Sequence, residues 1–231
     1  MTAAAMHCSF AMLHRSTPGE VSMTRCFAFL TLLAIAAPSP TADVLPANEK
    51  LNTKITNVIL ADASGKPVAL HGSGDKKAVV IVFLSFDCPV SIGYAPVLAE
   101  LAKTYEARGV TIIGVNSSDD ADAVQLAKLG AEYKLPFPVL KDHSRAAADA
   151  FKANTVPEVF VLDHNAVLRY RGRIDDSYSK RLVRAARVTR HDLKDALDDL
   201  LAGKEVRTPV TAAVGCPIPR ENTHVTTGKS S

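Results

Sequence analysis

Apolar positions along this chain follow two rhythms. Ala78-Val-Val-Ile-Val-Phe-Leu-Ser85 is an unbroken run rich in β-branched residues, the pattern of a central strand buried on both faces. From Ser91 to Arg108, Ile92, Ala95, Val97, Leu98, Leu101, Ala102 and Tyr105 recur at near-helical spacing until Gly109, and a second β-type run, Val110 to Val115, follows at once. Strand, helix and strand in so short a stretch predict a βαβ unit. Ile55–Leu60 and Pro67–Leu70, around the turn Asp62-Ala-Ser-Gly65, predict an opening hairpin. A second helix is expected over Asp119–Tyr133, with acidic residues in its first turn, then a short extended piece at Pro136–Leu140 and a short helix at Ser144–Phe151. Glu158–Leu162 and Val167–Arg171 form a hairpin around Asp163-His-Asn-Ala166. Residues 174–188 read as charged and irregular, and His191–Leu201 as a closing amphipathic helix ended by Gly203. The fold class is therefore α/β, a central mixed sheet flanked by helices with an N-terminal β-hairpin extension.

The N-terminus has a different grammar. An apolar run from Phe27 to Ala37 follows Met23-Thr-Arg25 and ends at Pro38-Ser-Pro40, the layout of a secretory signal. The run is too short for the roughly 20 residues that span a bilayer, so no permanent membrane span is expected. Residues 1–42 are read as the leader, with Met23 as an alternative start and cleavage near Ala42. Residues 43–203 form the domain, and 204–231 a flexible tail without periodicity. The protein is accordingly expected to be exported, to a periplasmic or extracytoplasmic site. Its 231 residues, 47% hydrophobic and 22% charged, suffice for one domain with extensions. A net charge of +3 and the absence of any nucleic-acid motif exclude nucleic acid as the main partner. The densest basic stretch, Arg169, Arg171, Arg173, Lys180, Arg181, Arg184, Arg187 and Arg190, reads as a solvated face, or else one that meets an acidic partner.

Export changes what a cysteine means. Cys8 and Cys26 fall in the leader, which leaves Cys88 and Cys216, a count that suits a redox or disulfide pair better than a metal cage. No metal site and no cofactor are expected, since neither CxxC nor HxxxH spacing occurs. Cys88 sits between the buried strand and Pro89, at the start of the long helix. Unpaired N–H groups and the positive end of the helix dipole there lower a thiol's pKa and make it nucleophilic, while Asp87 works against this if it points at the sulfur. His71, His143, His164 and His191 each fall in a turn or helix cap and read as solvated, with His143 alone near the active face.

Ser85-Phe-Asp-Cys88-Pro, the helix behind it, and Asn154-Thr-Val-Pro157-Glu-Val-Phe-Val-Leu-Asp163 together resemble the thioredoxin-like redoxin superfamily, its alkyl hydroperoxide reductase/thiol-specific antioxidant and TlpA-like branches, over residues 51 to about 202. The resemblance implies a thioredoxin-like fold and a cis peptide bond before Pro157, with Val156, Pro157 and Pro89 shaping a groove where an extended substrate pairs beside the sulfur. It implies catalytic roles for Cys88, Ser85 and Ser91, the last hydrogen-bonding the sulfur. Ser91 stands where a dithiol motif has its second cysteine, and Ile81 and Ser85 depart from the PxxxTxxC pattern of peroxide-reducing members. Cys216, in Gly215-Cys-Pro-Ile-Pro219, is then the candidate resolving thiol; a static disulfide with Cys88 and an unpaired thiol are the other roles open to it. The function implied is thiol-disulfide oxidoreduction on protein thiols and disulfides or on a small thiol or peroxide. A peroxiredoxin-like peroxidase and a non-catalytic binding module are the alternatives.

Overall fold

The computed structural model describes residues 50–72 and 75–220. The leader expected over 1–42 lies outside the described residues. Five strands form one sheet: β3 (Ala78–Phe83), β4 (Val110–Asn116), β5 (Val139–Lys141), β7 (Glu158–Asp163) and β8 (Leu168–Gly172), in the order β5-β4-β3-β7-β8. β3, β4 and β5 run parallel, and β7 lies antiparallel to both β3 and β8. Every residue of β3 and β7 is buried, which is what their unbroken apolar runs demand of strands covered on both faces. At their centre Phe83, Phe151 and Phe160 pack edge to face with centroids 5.2–5.8 Å apart. The opening hairpin is present but short, β1 (Ile59–Ala61) against β2 (Pro67–Ala69).

Among the described residues four helices complete the domain: α1 (Pro89–Glu106), α2 (Ala123–Glu132), α3 (Ala146–Phe151) and α4 (Asp192–Leu201). α1 and α4 are neighbours, since the Tyr105 hydroxyl of α1 donates to Asp198 of α4 at 2.9 Å. α2 begins four residues later than its acidic stretch suggests. Asp122 caps it, accepting the Gln125 N–H at 2.8 Å while the Gln125 side chain accepts the Asp122 N–H. Asp119 and Asp120 therefore lie in the preceding loop, where Asp120 accepts from Ser85 Oγ at 2.7 Å and from Asn116 Nδ2 at 2.9 Å.

Two further departures bear on function. Residues 174–188 are not irregular throughout: β9 (Tyr178–Lys180) and β10 (Val183–Arg184) form a small antiparallel hairpin, turning at Arg181 and Leu182 with Leu182 at φ +64°. The basic stretch is not simply a solvated face either. Arg171 is buried and paired with Glu158 at 2.6 Å, Arg173 pairs with Asp192 at 2.7 Å, and Arg169 with Asp163 at 2.8 Å. Arg171 is covered where it meets β7, its guanidinium lying 4.9 Å from the Phe160 ring centroid while Glu158 balances its charge.

Residues 206–218 run back over the domain. Val210 bridges to Arg171, and the buried Thr211 lies against Gly172, where a Cβ would come within 2.2 Å of Thr211 O. Further on, β11 (Cys216–Pro217) pairs antiparallel with β6 (Thr155–Val156), the short strand before Pro157.

Candidate functional site

Cys88 lies at the end of α1 that faces the carboxyl edge of β3. Four residues carry the chain over from Phe83, and Leu84 N–H still bonds Val115 O at 2.9 Å, so the loop starts in register with the sheet. Cys88 itself is the extended residue preceding α1, with Pro89 in the first turn and the Ile92 N–H closing that turn onto the Cys88 carbonyl at 3.1 Å. Ser85 accepts the Cys88 N–H on its carbonyl at 3.3 Å, and its hydroxyl accepts the Asp87 N–H at 3.1 Å while donating to Asp120. Ser85 thus shapes the loop, and its hydroxyl is committed away from the sulfur. Asp87 is exposed.

The Cys88 side chain is buried, at 2% exposure, and as a thiol it donates to the carbonyl of Val156 at 3.3 Å. The Val156–Pro157 bond is cis, as the resemblance implies, and Pro157 is buried. Directly across from Val156 stands Cys216, in register on β11. Gly215 makes this approach possible: a Cβ there would lie 2.0 Å from Val156 O, a distance that only glycine avoids. Both cysteines carry free thiols, and each shifts the ionisation of the other.

Electrostatics divide the pair. Burial opposes ionisation of Cys88, but hydrogen bonds from the Cys216 thiol, from the N–H and hydroxyl of Ser91 and from the N–H of Val90 outweigh it and hold the thiol below its ordinary value. Cys216 moves the other way: burial and the adjacent Cys88 sulfur push it up, and Arg181 opposes them, its Nε 3.4 Å from Cys216 Sγ. Of the two sulfurs, Cys88 is therefore the readier to ionise and Cys216 the readier to keep its proton. An ionised sulfur and a second sulfur beside it are the elements of thiol-disulfide exchange.

Against this geometry the comparisons with known proteins are decisive on lineage. The family model for the AhpC/TSA family matches residues 51–171, more than half of the chain. This chain belongs to the AhpC/TSA family. Its fold is thioredoxin-like. Among relatives, the thiol-disulfide oxidoreductase ResA of Bacillus subtilis is 28% identical over 107 residues, covering 46% of this chain and 58% of ResA. The thiol-disulfide oxidoreductase YkuV of the same organism is 28% identical over 98 residues, covering 41% of this chain and 66% of YkuV. The chain thus spans less than two thirds of the length of these two relatives. A hypothetical protein of Sinorhizobium meliloti, known from its crystal structure, superposes with a TM-score of 0.66 at 31% identity, covering 73% of this chain and 93% of that one.

In this AhpC/TSA protein the candidates Cys88, Ser91, Val156, Pro157 and Cys216 converge on one point, with Pro89 exposed beside them and Ser85 one layer behind. Two contributors escape a reading of the sequence. Arg181 is one of eight cations in a charged stretch, and only the turn between β9 and β10 aims it at Cys216. Asp120, expected within a helix, instead holds the Ser85 hydroxyl. His143 is exposed. Among the described residues no group of three or more His, Cys, Asp or Glu is placed to hold a metal ion, and no helix is long and apolar enough to cross a membrane.

Proposed function

We propose that this protein is a thiol-disulfide oxidoreductase in which Cys88 is the nucleophile and Cys216 the resolving thiol. The observation that carries this reading is geometric: the pairing of β11 with β6 sets Cys216 directly across from Val156, the residue whose carbonyl accepts the Cys88 thiol at 3.3 Å. The Cys88 thiolate attacks one sulfur of a substrate disulfide, forming a mixed disulfide and releasing the first thiolate. Cys216 then loses its proton, which passes through solvent to the released thiolate, and attacks Cys88 Sγ. The Cys88–Cys216 disulfide forms and the second substrate thiolate leaves. The substrate disulfide has gained two electrons and the protein dithiol has lost two; an external thiol reductant running the sequence backwards restores the dithiol. The N–H groups of Val90 and Ser91 stabilise negative charge on Cys88 whenever it is attacking or leaving. Names of relatives that contain the words thiol-disulfide oxidoreductase support the same chemistry. The signal-like sequence pattern over 1–42 supports action outside the cytoplasm, where disulfides persist.

The test is non-reducing peptide mapping of the full chain after equilibration in glutathione buffers of graded potential. A Cys88–Cys216 disulfide that opens reversibly between about −120 and −270 mV is the expected result, the range of redox-active dithiols. A bond that stays closed below about −300 mV, or no bond at any potential, would refute the proposal.

A further inference from the structure

Resting on the oxidoreductase reading above, the geometry points to a substrate class: we infer that the disulfide attacked by Cys88 is a small molecule, because the strand edge on which an extended polypeptide would dock is already filled by this chain's own residues 214–218. Peptides recognised by strand addition need an unpaired backbone edge. Here that edge is β6, and its inward side is taken. Cys216 faces Val156 and Pro217 faces Thr155, while the Ile218 N–H donates to Asn154 O at 2.9 Å. The segment is held at both ends. On one side Thr211 is buried, its hydroxyl accepting the Arg173 N–H at 3.0 Å and sharing a hydrogen bond with Tyr170 at 2.7 Å. On the other, Ile218 is 4% exposed and the Arg220 guanidinium donates to Ala153 O at 2.8 Å. A polypeptide substrate would have to break all of this before its sulfur met Cys88. A small disulfide needs only to reach the sulfur, through the margin where Cys216 is partly exposed beneath Arg181.

The experiment uses the reduced full chain and two oxidants, 2-hydroxyethyl disulfide and the disulfide-linked dimer of an unstructured ten-residue peptide, with Cys88 oxidation followed by quenched peptide mapping. The wild type is expected to react at least ten-fold faster with the small disulfide. Gly215→Val, whose side chain collides with Val156 O, is expected to undock the segment and narrow that ratio several-fold by raising the peptide rate. Ile218→Asp loosens the same segment from its other end and is expected to act alike, so the result does not hang on one variant folding. Equal wild-type rates with the two oxidants, or a ratio that neither variant changes, would overturn the inference while leaving the oxidoreductase reading intact. Failure of both oxidants to react with Cys88 would overturn the reading and the inference together.

Discussion

Cys88 is buried, and burial alone would make it a poor nucleophile; the donors around its sulfur reverse that. The sign of the effect is open to test. Because these donors favour the charged form, the thiolate fraction, and with it the rate of alkylation by iodoacetamide, should rise to its plateau at lower pH than for a free thiol. Ser91→Ala removes one donor, so its profile should move toward higher pH and its rate at pH 7 should fall roughly ten-fold, the worth of a hydrogen bond to a charged group. An unshifted profile in the variant would remove Ser91 from the site. Cys216, raised by burial and by the Cys88 sulfur, should be alkylated later on the pH scale than Cys88. Part of this was legible in the chain. The thiol before Pro89 at a strand-to-helix junction pointed to a helix N-terminus, and Asn154-Thr-Val-Pro157 to its partner segment. Arg181 was not, since a cation in a cationic stretch carries no mark of the sulfur it will meet.

The elements that the sequence announced best are those whose burial is complete. β3 and β7 sit where their apolar runs placed them, because a strand covered on both faces buries every position and so shows itself as an unbroken run. The hairpin of β9 and β10 was hidden for the opposite reason. Its residues are mostly exposed and lack an apolar face, and what fixes it is contact with α1: the Arg184 guanidinium donates to Gly93 O at 3.2 Å, and Tyr178 packs on Tyr94 with ring centroids 5.3 Å apart. Gly93 is the seat of that contact. A Cβ there would come within 2.2 Å of the Tyr178 hydroxyl, on a ring too closely packed to move aside. Gly93→Ala is therefore expected to lift the hairpin from α1 while leaving the sheet intact. The readout is faster tryptic cleavage at Arg181 and Arg184 together with faster alkylation of Cys216; a hairpin that stays protected would show that other contacts hold it.

Across the whole molecule, the site and the scaffold share a buried ion pair. Glu158 follows Pro157 directly, and Arg171 bonds it from β8 while also donating to Lys152 O at 3.1 Å. Burial pushes the Glu158 carboxyl up against the pull of that guanidinium. Glu158→Ala leaves a buried cation short of its counter-charge and should lower the stability measured in urea by about 3 kcal/mol, whereas loss of under about 1 kcal/mol would mean that solvent takes the carboxylate's place. One feature reaches further than chemistry. The two thiols stand far apart in sequence, so that bonding them closes a covalent ring of well over 100 residues, running from the start of α1 to β11 and leaving β1, β2 and β3 outside it. A ring of that size removes so much freedom from the unfolded chain that oxidation is worth about 4.7 kcal/mol of stability on the chain-entropy account. The same two electrons that leave with the substrate would then decide how firmly the protein resists heat and proteases, making its endurance a record of its last turnover.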